Sequence, residues 1–300
     1  MTLLGGPDHQ GSVPGPDQAD AAALAQQHGL DLVGVRPPLG AYLRDLWRHR
    51  SFLLTMASAD FISRHQQSFL GQIWLLLNPL LQGGAYYLIF GGIILDTRRG
   101  AEGNYIGFLL VGLFMFLFIA SGINNGAKAL TGNMGLVRAL RFPRVILPIA
   151  VTLTELFAAL PAFAVALLVV VLTGEQPTWA WLLYPVAILI AFVMTCGISM
   201  LAARLVYVVR DLANLVPLIT RVLRYTSGVF FVISANATGW LGLVLMYQPV
   251  AAALSIIREP VLREFPLDGS IWAVATGWAV LFFVSGLVVF WRGEATYGRQ

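Results

Sequence analysis

The 300-residue sequence is much more apolar than a soluble protein: 58% of its residues are hydrophobic, 11% are charged, and the mean hydropathy is +0.76. Soluble domains carry about 25% charged residues, so the composition predicts an all-α membrane protein rather than soluble domains. The single cysteine, Cys196, excludes a disulfide framework, and the four histidines have no ligand spacing, so no metal site is expected. The net charge of +4 is modest, and nucleic acid is not expected as a partner.

The first 37 residues differ from the rest of the chain. They are rich in Asp, Gly and Pro and lack a long apolar run, which is typical of a disordered segment and unlike a secretory signal. We therefore divide the chain into a disordered cytoplasmic tail (1–37), an interface segment with the entry to the first span (38–72), and a transmembrane domain (73–300).

The segment Leu39–Met56 has the pattern of an amphipathic helix. Leu43 and Trp47 fall on one side, whereas Arg44 and Arg48 fall towards the other. Such a helix is predicted to lie at the cytoplasmic surface of the membrane with its apolar side in the lipid. A linker helix that faces water remains the alternative.

Six stretches are predicted to cross the bilayer as helices, which takes about 20 mainly apolar residues each. They are Ile73–Leu95, Tyr105–Asn124, Val145–Leu172, Trp179–Tyr207, Asn214–Ile233 and Ile271–Trp291. Tryptophans at several of their ends are typical of the membrane interface.

The distribution of basic residues predicts the orientation of the spans. If the N-terminus is inside, the inner segments hold Arg44, Arg48, Arg50, Arg64, Lys128, Arg138, Arg141, Arg144, Arg204, Arg210, Arg292 and Arg299, and the outer segments hold only Arg98, Arg99, Arg258 and Arg263. This asymmetry favours both termini in the cytoplasm.

The segment Gly239–Ile257 has two interpretations. It is long enough to cross, which would give seven spans, or it forms a re-entrant hairpin bent near Gln248–Pro249, which would keep six. Charge does not distinguish them. Re-entrant backbone is tolerated in a membrane only where protein or water covers it.

Three segments resemble the permease subunits of type-two ABC exporters of polysaccharides, a resemblance that covers residues 39–300. The first contains, in the family's order, Asp60, Arg64, Ser68, Leu70, Gly71, Trp74 and Pro79. His65 departs from the family, in which an aromatic residue is commoner there. The second is GNMGLVRALRFPRVILPI, Gly132–Ile149, and the third is VRDLANLVP, Val209–Pro217.

The resemblance implies two short re-entrant helices between spans five and six, and hence a hairpin at Gly239–Ile257. It also implies a homodimer that works with two copies of a separate ABC-type ATPase subunit. The only lysine, Lys128, is followed by Ala129, so the sequence has no Gly-x-x-x-x-Gly-Lys-Ser/Thr phosphate loop. We therefore expect a non-catalytic chain that binds no cofactor, with ATP and Mg in the partner subunit.

The surface that docks the ATPase should be cytoplasmic, basic and partly apolar. The candidate docking residues are Arg138, Arg141, Phe142 and Arg144, together with Arg44 and Arg48. The alternative is that these charges only set the topology and contact lipid head groups.

Three ionisable residues stand out at depth inside predicted spans: Glu155 in span three, and Arg221 and Arg224 in span five. Counted at about 1.5 Å per residue from the cytoplasmic span ends, their depths agree at roughly 12 to 16 Å. One interpretation is a buried bridge between Glu155 and an arginine. The other is that an arginine faces a water-filled cavity and binds the diphosphate of a lipid-linked glycan. Both can hold, because one glutamate cannot neutralise two arginines.

A path for a glycan should contain aromatic rings beside polar groups. Tyr86 and Tyr225 are the preferred candidates because polar or charged residues accompany them.

The sequence thus predicts the membrane subunit of an ATP-driven exporter that moves a polyprenyl-diphosphate-linked polysaccharide from the cytoplasm across the bacterial inner membrane. An exporter of teichoic acid, lipids or drugs is the alternative. A membrane glycosyltransferase is less favoured, because the outer acidic residues form no catalytic pair. Arginine far outnumbers lysine, as in a GC-rich genome, which favours a cell-wall galactan over O-antigen or teichoic acid as the polysaccharide.

Overall fold

A computed structural model describes residues 38–66, 71–91, 104–140, 142–233, 239–294 and 297. All regular secondary structure within these ranges is helical. The tail (1–37), residues 67–70 of the first family segment and Arg141 lie outside the described residues, and so does the predicted end of the first span at Leu95.

The described chain forms helices α1 to α12. Their bounds are α1 Leu39–Arg48, α2 Arg50–Gln66, α3 Gly71–Tyr86, α4 Tyr105–Ala127, α5 Ala129–Gly132, α6 Met134–Ala139, α7 Ile146–Leu172, α8 Tyr184–Val208, α9 Leu212–Thr226, α10 Gly239–Tyr247, α11 Pro249–Arg258 and α12 Gly269–Gly293. A π-helical turn, Tyr87–Gly91, continues α3, and a 3₁₀ turn, Trp179–Leu183, precedes α8.

Four of these helices are long and apolar enough to cross a membrane: α4, α7, α8 with its 3₁₀ turn, and α12. They coincide with predicted spans two, three, four and six, and they confirm a multi-pass membrane protein.

Side-chain caps mark the start of two of these helices. The side chain of Asn104 accepts a hydrogen bond from the amide of Gly107 at the start of α4, and Asp268 caps Ser270 at the start of α12 in the same way.

The predicted fifth span is a shorter helix than expected. Helix α9 has 15 residues, or about 22 Å at 1.5 Å per residue, whereas the hydrocarbon core is about 30 Å thick. It ends at Thr226, and the chain then turns at Gly228, whose φ of +72° glycine adopts without steric cost. The prediction of a helix through Ile233 therefore fails after Thr226.

The segment with two interpretations forms two helices. Helices α10 and α11 have nine and ten residues and are separated at Gln248, where Pro249 begins the second one. Neither helix is long enough to cross a bilayer by itself.

Helix α4 lies at the centre of the bundle, with 83% of its most apolar 18-residue window buried, against 22% for α7 and for α12. Glycines on α4 bring its neighbours close. A Cβ atom at Gly122 would lie 2.5 Å from the Thr195 methyl group of α8, and one at Gly126 would lie 1.8 Å from Ser199 Oγ. Such contacts between small residues allow membrane helices to pack closely.

A second core lies at the end of the bundle where α4 ends and α7 begins, which we call the basal end. It contains Tyr42 of α1, Phe142 and Phe290. Helix α2 packs lengthwise on α7: Thr154 Oγ1 donates to the Ala57 carbonyl at 3.1 Å, and the ring centroid of Phe61 lies 6.4 Å from that of Phe157. Before α7, Phe52 lies 5.3 Å from Phe142 between ring centroids.

Candidate functional site

Three of the predicted substrate residues lie together in one cluster. Arg224 Nη1 donates to the Tyr86 hydroxyl at 3.0 Å, and the guanidinium lies 5.4 Å from the centroid of the Phe116 ring. The Phe230 ring lies 4.7 Å from Tyr86 and 5.8 Å from Tyr225. We call Tyr86, Phe116, Arg224, Tyr225 and Phe230 the arginine–aromatic cluster.

The cluster joins three helices and one turn. Arg224 and Tyr225 lie in the last turn of α9, Tyr86 ends α3, and Phe116 lies within the buried helix α4. Arg224 Nε is buried and has no hydrogen-bond partner in the described part of the chain. Tyr225 is 52% exposed, so the cluster is open on one side. The guanidinium therefore has one N–H donor that the described residues leave unpaired.

Arg221 lies one turn before Arg224 on α9 and is exposed. Within the described ranges, neither Arg221 nor Arg224 forms an ion pair with a carboxylate. The structure therefore does not bring either arginine together with Glu155.

Glu155 has another partner, Arg64 of α2. Arg64 Nη1 donates to Glu155 Oε1 at 2.8 Å, and Asn125 Nδ2 of α4 donates to the same oxygen at 2.8 Å. Arg64 also binds Asp60 through two hydrogen bonds of 3.1 and 2.6 Å. We call these four residues the Glu155 network.

The sequence reasoning did not identify Arg64 as this partner. The spacing of Asp60 and Arg64, four residues apart on one helix, was a signal for their own pair. It carried no information about α7, because the lengthwise packing of α2 on α7 is a tertiary contact.

The predicted docking residues separate into two groups. The Phe142 side chain is 7% exposed and packs inside the second core, and Arg144 Nη1 donates to Glu294 at 3.0 Å. Arg44, Arg48 and Arg138 are exposed at the basal end. Arg141 lies outside the described residues.

Glu294, directly after α12, accepts three hydrogen bonds. Its Oε1 accepts from the Arg144 amide at 3.1 Å and from Arg144 Nη1, and its Oε2 accepts from the Tyr42 hydroxyl at 3.0 Å. Burial raises the pKa of Glu294 above its ordinary value, and the bonds from Arg144 oppose that shift. We call Tyr42, Arg144 and Glu294 the Glu294 cluster. It connects α1 to the C-terminal end of α12.

Metal chemistry has no support in the described ranges, which contain no group of three or more His, Cys, Asp or Glu side chains placed to hold an ion.

Comparison with known proteins identifies the family. The profile of the ABC-2 type transporter family matches residues 52–262, more than half of the chain. The O-antigen export system permease protein RfbA of Myxococcus xanthus is 29% identical over 174 residues, which are 58% of this chain and 65% of that protein. Its namesake in Klebsiella pneumoniae is 27% identical over 221 residues, 73% of this chain and 80% of the relative.

A third relative is the polysialic acid transport protein KpsM of Escherichia coli, which is 23% identical over 233 residues, 76% of this chain and 85% of that protein. The match spans less than two thirds of the Myxococcus relative. The resemblance found in three short sequence segments is confirmed at the level of the family. The chain therefore belongs to the ABC-2 type transporter family.

Proposed function

We propose that this chain is the permease subunit of an ATP-driven exporter that moves a polyprenyl-diphosphate-linked polysaccharide from the cytoplasm across the inner membrane. Membership of the ABC-2 family supports a transport role, and the names of the three relatives support a polysaccharide as the cargo. We place ATP hydrolysis in a separate subunit, and the lack of a phosphate loop in this sequence supports that proposal.

The observation that carries the proposal is the arginine–aromatic cluster. Charged side chains at membrane depth are costly and mark transport pathways. Here two arginines lie three residues apart on α9 without a carboxylate partner in the described chain, and one retains an unused buried donor. Guanidinium groups bind phosphate oxygens through paired hydrogen bonds. The neighbouring rings of Tyr86, Tyr225 and Phe230 supply apolar faces for sugars.

The proposed topology has six spans. Helix α3 with its π-helical turn forms span one, α9 forms span five, and α10 with α11 forms a re-entrant hairpin. Both termini lie in the cytoplasm, and α1 lies at the inner membrane surface with Leu43 and Trp47 exposed to lipid. A cysteine at exposed Ser270 should react with an impermeant reagent in intact cells, whereas one at exposed Gly135 should react only after permeabilisation. The reverse pattern would refute this orientation.

The functional unit is proposed to be a homodimer with two ATPase subunits. Helix α9 exposes Leu218, Arg221, Val222 and Tyr225, and a second copy would close a polymer path against this face. The exposed arginines at positions 44, 48 and 138 are the proposed contacts with the ATPase. Arg144 is not included because it already binds Glu294.

The decisive experiment measures export of the lipid-linked glycan at matched protein levels. Arg224→Lys keeps the charge but loses the forked geometry, and Arg221→Gln removes an exposed charge, so both should lower export. Arg263→Lys, at a 58% exposed arginine outside the cluster, is the matched control and should export normally. If both α9 variants export the glycan at the wild-type rate, the proposal that the cluster recognises phosphate is refuted.

A further inference from the structure

The turn that follows α9 has an unusual set of hydrogen bonds. The carbonyl of Thr226 accepts from Gln248 Nε2 at 2.6 Å, and the carbonyl of Phe230 accepts from the Tyr105 hydroxyl at 3.2 Å. Two of the three carbonyls between them, those of Gly228 and Val229, both accept from Arg258, at 2.9 and 3.0 Å. Four carbonyls within five residues therefore accept hydrogen bonds from side chains elsewhere in the chain.

Arg258 is the central donor of this set. Its side chain is 5% exposed, and it has no carboxylate partner in the part of the chain that is described. Its Nε donates to the Phe108 carbonyl of α4 at 3.2 Å, and its guanidinium lies 3.7 Å from the centroid of the Phe108 ring. Three backbone carbonyls and one aromatic face thus compensate a buried positive charge.

Gly112 of α4 leaves the space that this guanidinium occupies. A Cβ atom at Gly112 would lie 1.9 Å from Arg258 Nη2 and 2.6 Å from its Cζ. Any larger residue at position 112 would therefore displace the guanidinium from the carbonyls.

Non-helical backbone at membrane depth must obtain its hydrogen bonds from protein or water. The turn at Gly228 breaks the helix inside the proposed fifth span, and Arg258 supplies donors for both of its central carbonyls. Lysine would keep the charge but cannot present three donors in one plane. The break is consequently stabilised by one specific side chain.

We propose that Arg258 is a positioning residue, which fixes the end of α9 and through it the arginine–aromatic cluster. The turn that Arg258 holds carries Phe230, whose buried ring packs between Tyr86 and Tyr225. Arg258 itself is enclosed by α4 and the turn, and does not contact the cargo. The link to transport rests on the proposed function of the cluster.

Hydrogen–deuterium exchange of the full protein in lipid nanodiscs tests the structural part. In Arg258→Lys, the peptide that covers residues 222–233 should exchange about tenfold faster, while α7 and α12 stay protected. The bonds that Arg258 makes are to carbonyls, so exchange rises because the turn is held less firmly and opens more often, which exposes its amides. The matched control is Arg263→Lys, five residues after Arg258 and 58% exposed, and it should leave the exchange of that peptide unchanged. Equal protection of the turn in Arg258→Lys and the wild type would overturn the proposal.

A second pair of variants tests the contact with Gly112 independently. In the wild-type background, Gly112→Ala should speed the exchange of peptide 222–233 as Arg258→Lys does, because the added methyl group overlaps the guanidinium. In Arg258→Gln, whose side chain is shorter, Gly112→Ala should add little further exchange. If Gly112→Ala speeds the exchange of peptide 222–233 equally in both backgrounds, Gly112 serves only helix packing, and the proposed contact between Gly112 and Arg258 is refuted.

Export separates the positioning role from the proposed function. Faster exchange of the turn with reduced export supports positioning, whereas faster exchange with normal export overturns it. If Arg258→Lys loses export while Arg224→Lys and Arg221→Gln keep it, phosphate recognition fails, and so does the claim that Arg258 acts through that cluster.

Discussion

Loss of the Tyr42 hydroxyl should release α1 from the bundle. Tyr42 is the one fully buried side chain of α1, and its hydroxyl donates to Glu294 Oε2, which has no other donor among the described residues. Tyr42→Phe keeps the ring in place and removes only this bond. Because both side chains are largely buried, the loss should be close to the full value of a hydrogen bond to a charged group, about 2 kcal/mol.

Such a loss raises the local opening equilibrium of α1 about 30-fold, since 1.36 kcal/mol corresponds to a factor of ten. Trypsin reports this opening in nanodiscs, because α1 contains Arg44 and Arg48, and cleavage tracks the open population when closing is fast. Burial and the neighbouring Glu294 both raise the pKa of the Tyr42 hydroxyl, so it stays protonated and remains the donor at neutral pH.

Tyr184→Phe is the matched control. The hydroxyl of Tyr184 is also buried, but it donates to a neutral carbonyl, that of Phe163, at 3.4 Å. Its loss should cost less than about 1 kcal/mol and leave cleavage within α1 unchanged. If Tyr42→Phe is cleaved in α1 no faster than Tyr184→Phe, the Glu294 cluster does not hold α1.

Glu294→Gln should remove a pH dependence of the stability of the fold. Because burial raises the pKa of Glu294, this residue's contribution to stability is complete below its ordinary pKa of 4.5 and is lost as the pH rises through the raised folded value. Thermal unfolding between pH 4 and 8 measures this loss in the wild type and its absence in the variant. A double-mutant cycle of Arg64→Gln and Glu155→Gln should give a coupling energy of about 1 kcal/mol, because the Arg64 side chain is 41% exposed. Additive losses of thermal stability would show no coupling. Glu155→Gln and Arg221→Gln, by contrast, should have additive effects on export, because the two residues are not paired. Arg138→Glu with Arg48→Glu should reduce co-purification of the ATPase relative to Arg292→Glu, and unchanged recovery would contradict the docking surface.

Long apolar runs were sufficient to predict α4, α7, α8 and α12, because a membrane helix must satisfy its own backbone hydrogen bonds. The fifth span was predicted too long. Its apolar run continues past Thr226, and only the conformation of Gly228 and its tertiary donors shows that the helix stops there.

The charged residues were harder to assign than the helices. The cluster of Arg224, Tyr225 and Tyr86 was anticipated as a set of candidates, although its contacts depend on how α3 meets α9. Depth along each helix suggested Glu155 as a partner of the α9 arginines, but equal depth does not specify which helix faces it. Arg258 was counted as an outer-loop charge, because sequence does not show whether a side chain at a helix end points outwards or back into the bundle.

The close contacts between α4 and α8 also constrain how this family member can diverge. The methyl group of an alanine at position 126 would occupy the space of Ser199 Oγ, and one at position 122 would meet Thr195. Neither glycine can be replaced alone without separating the two helices, whereas a larger residue on α4 becomes acceptable once its neighbour on α8 has lost its side chain. Among descendants of this sequence, positions 126 and 199 should therefore change together, and likewise positions 122 and 195. Where the residue on α4 becomes larger, the facing residue on α8 should become smaller.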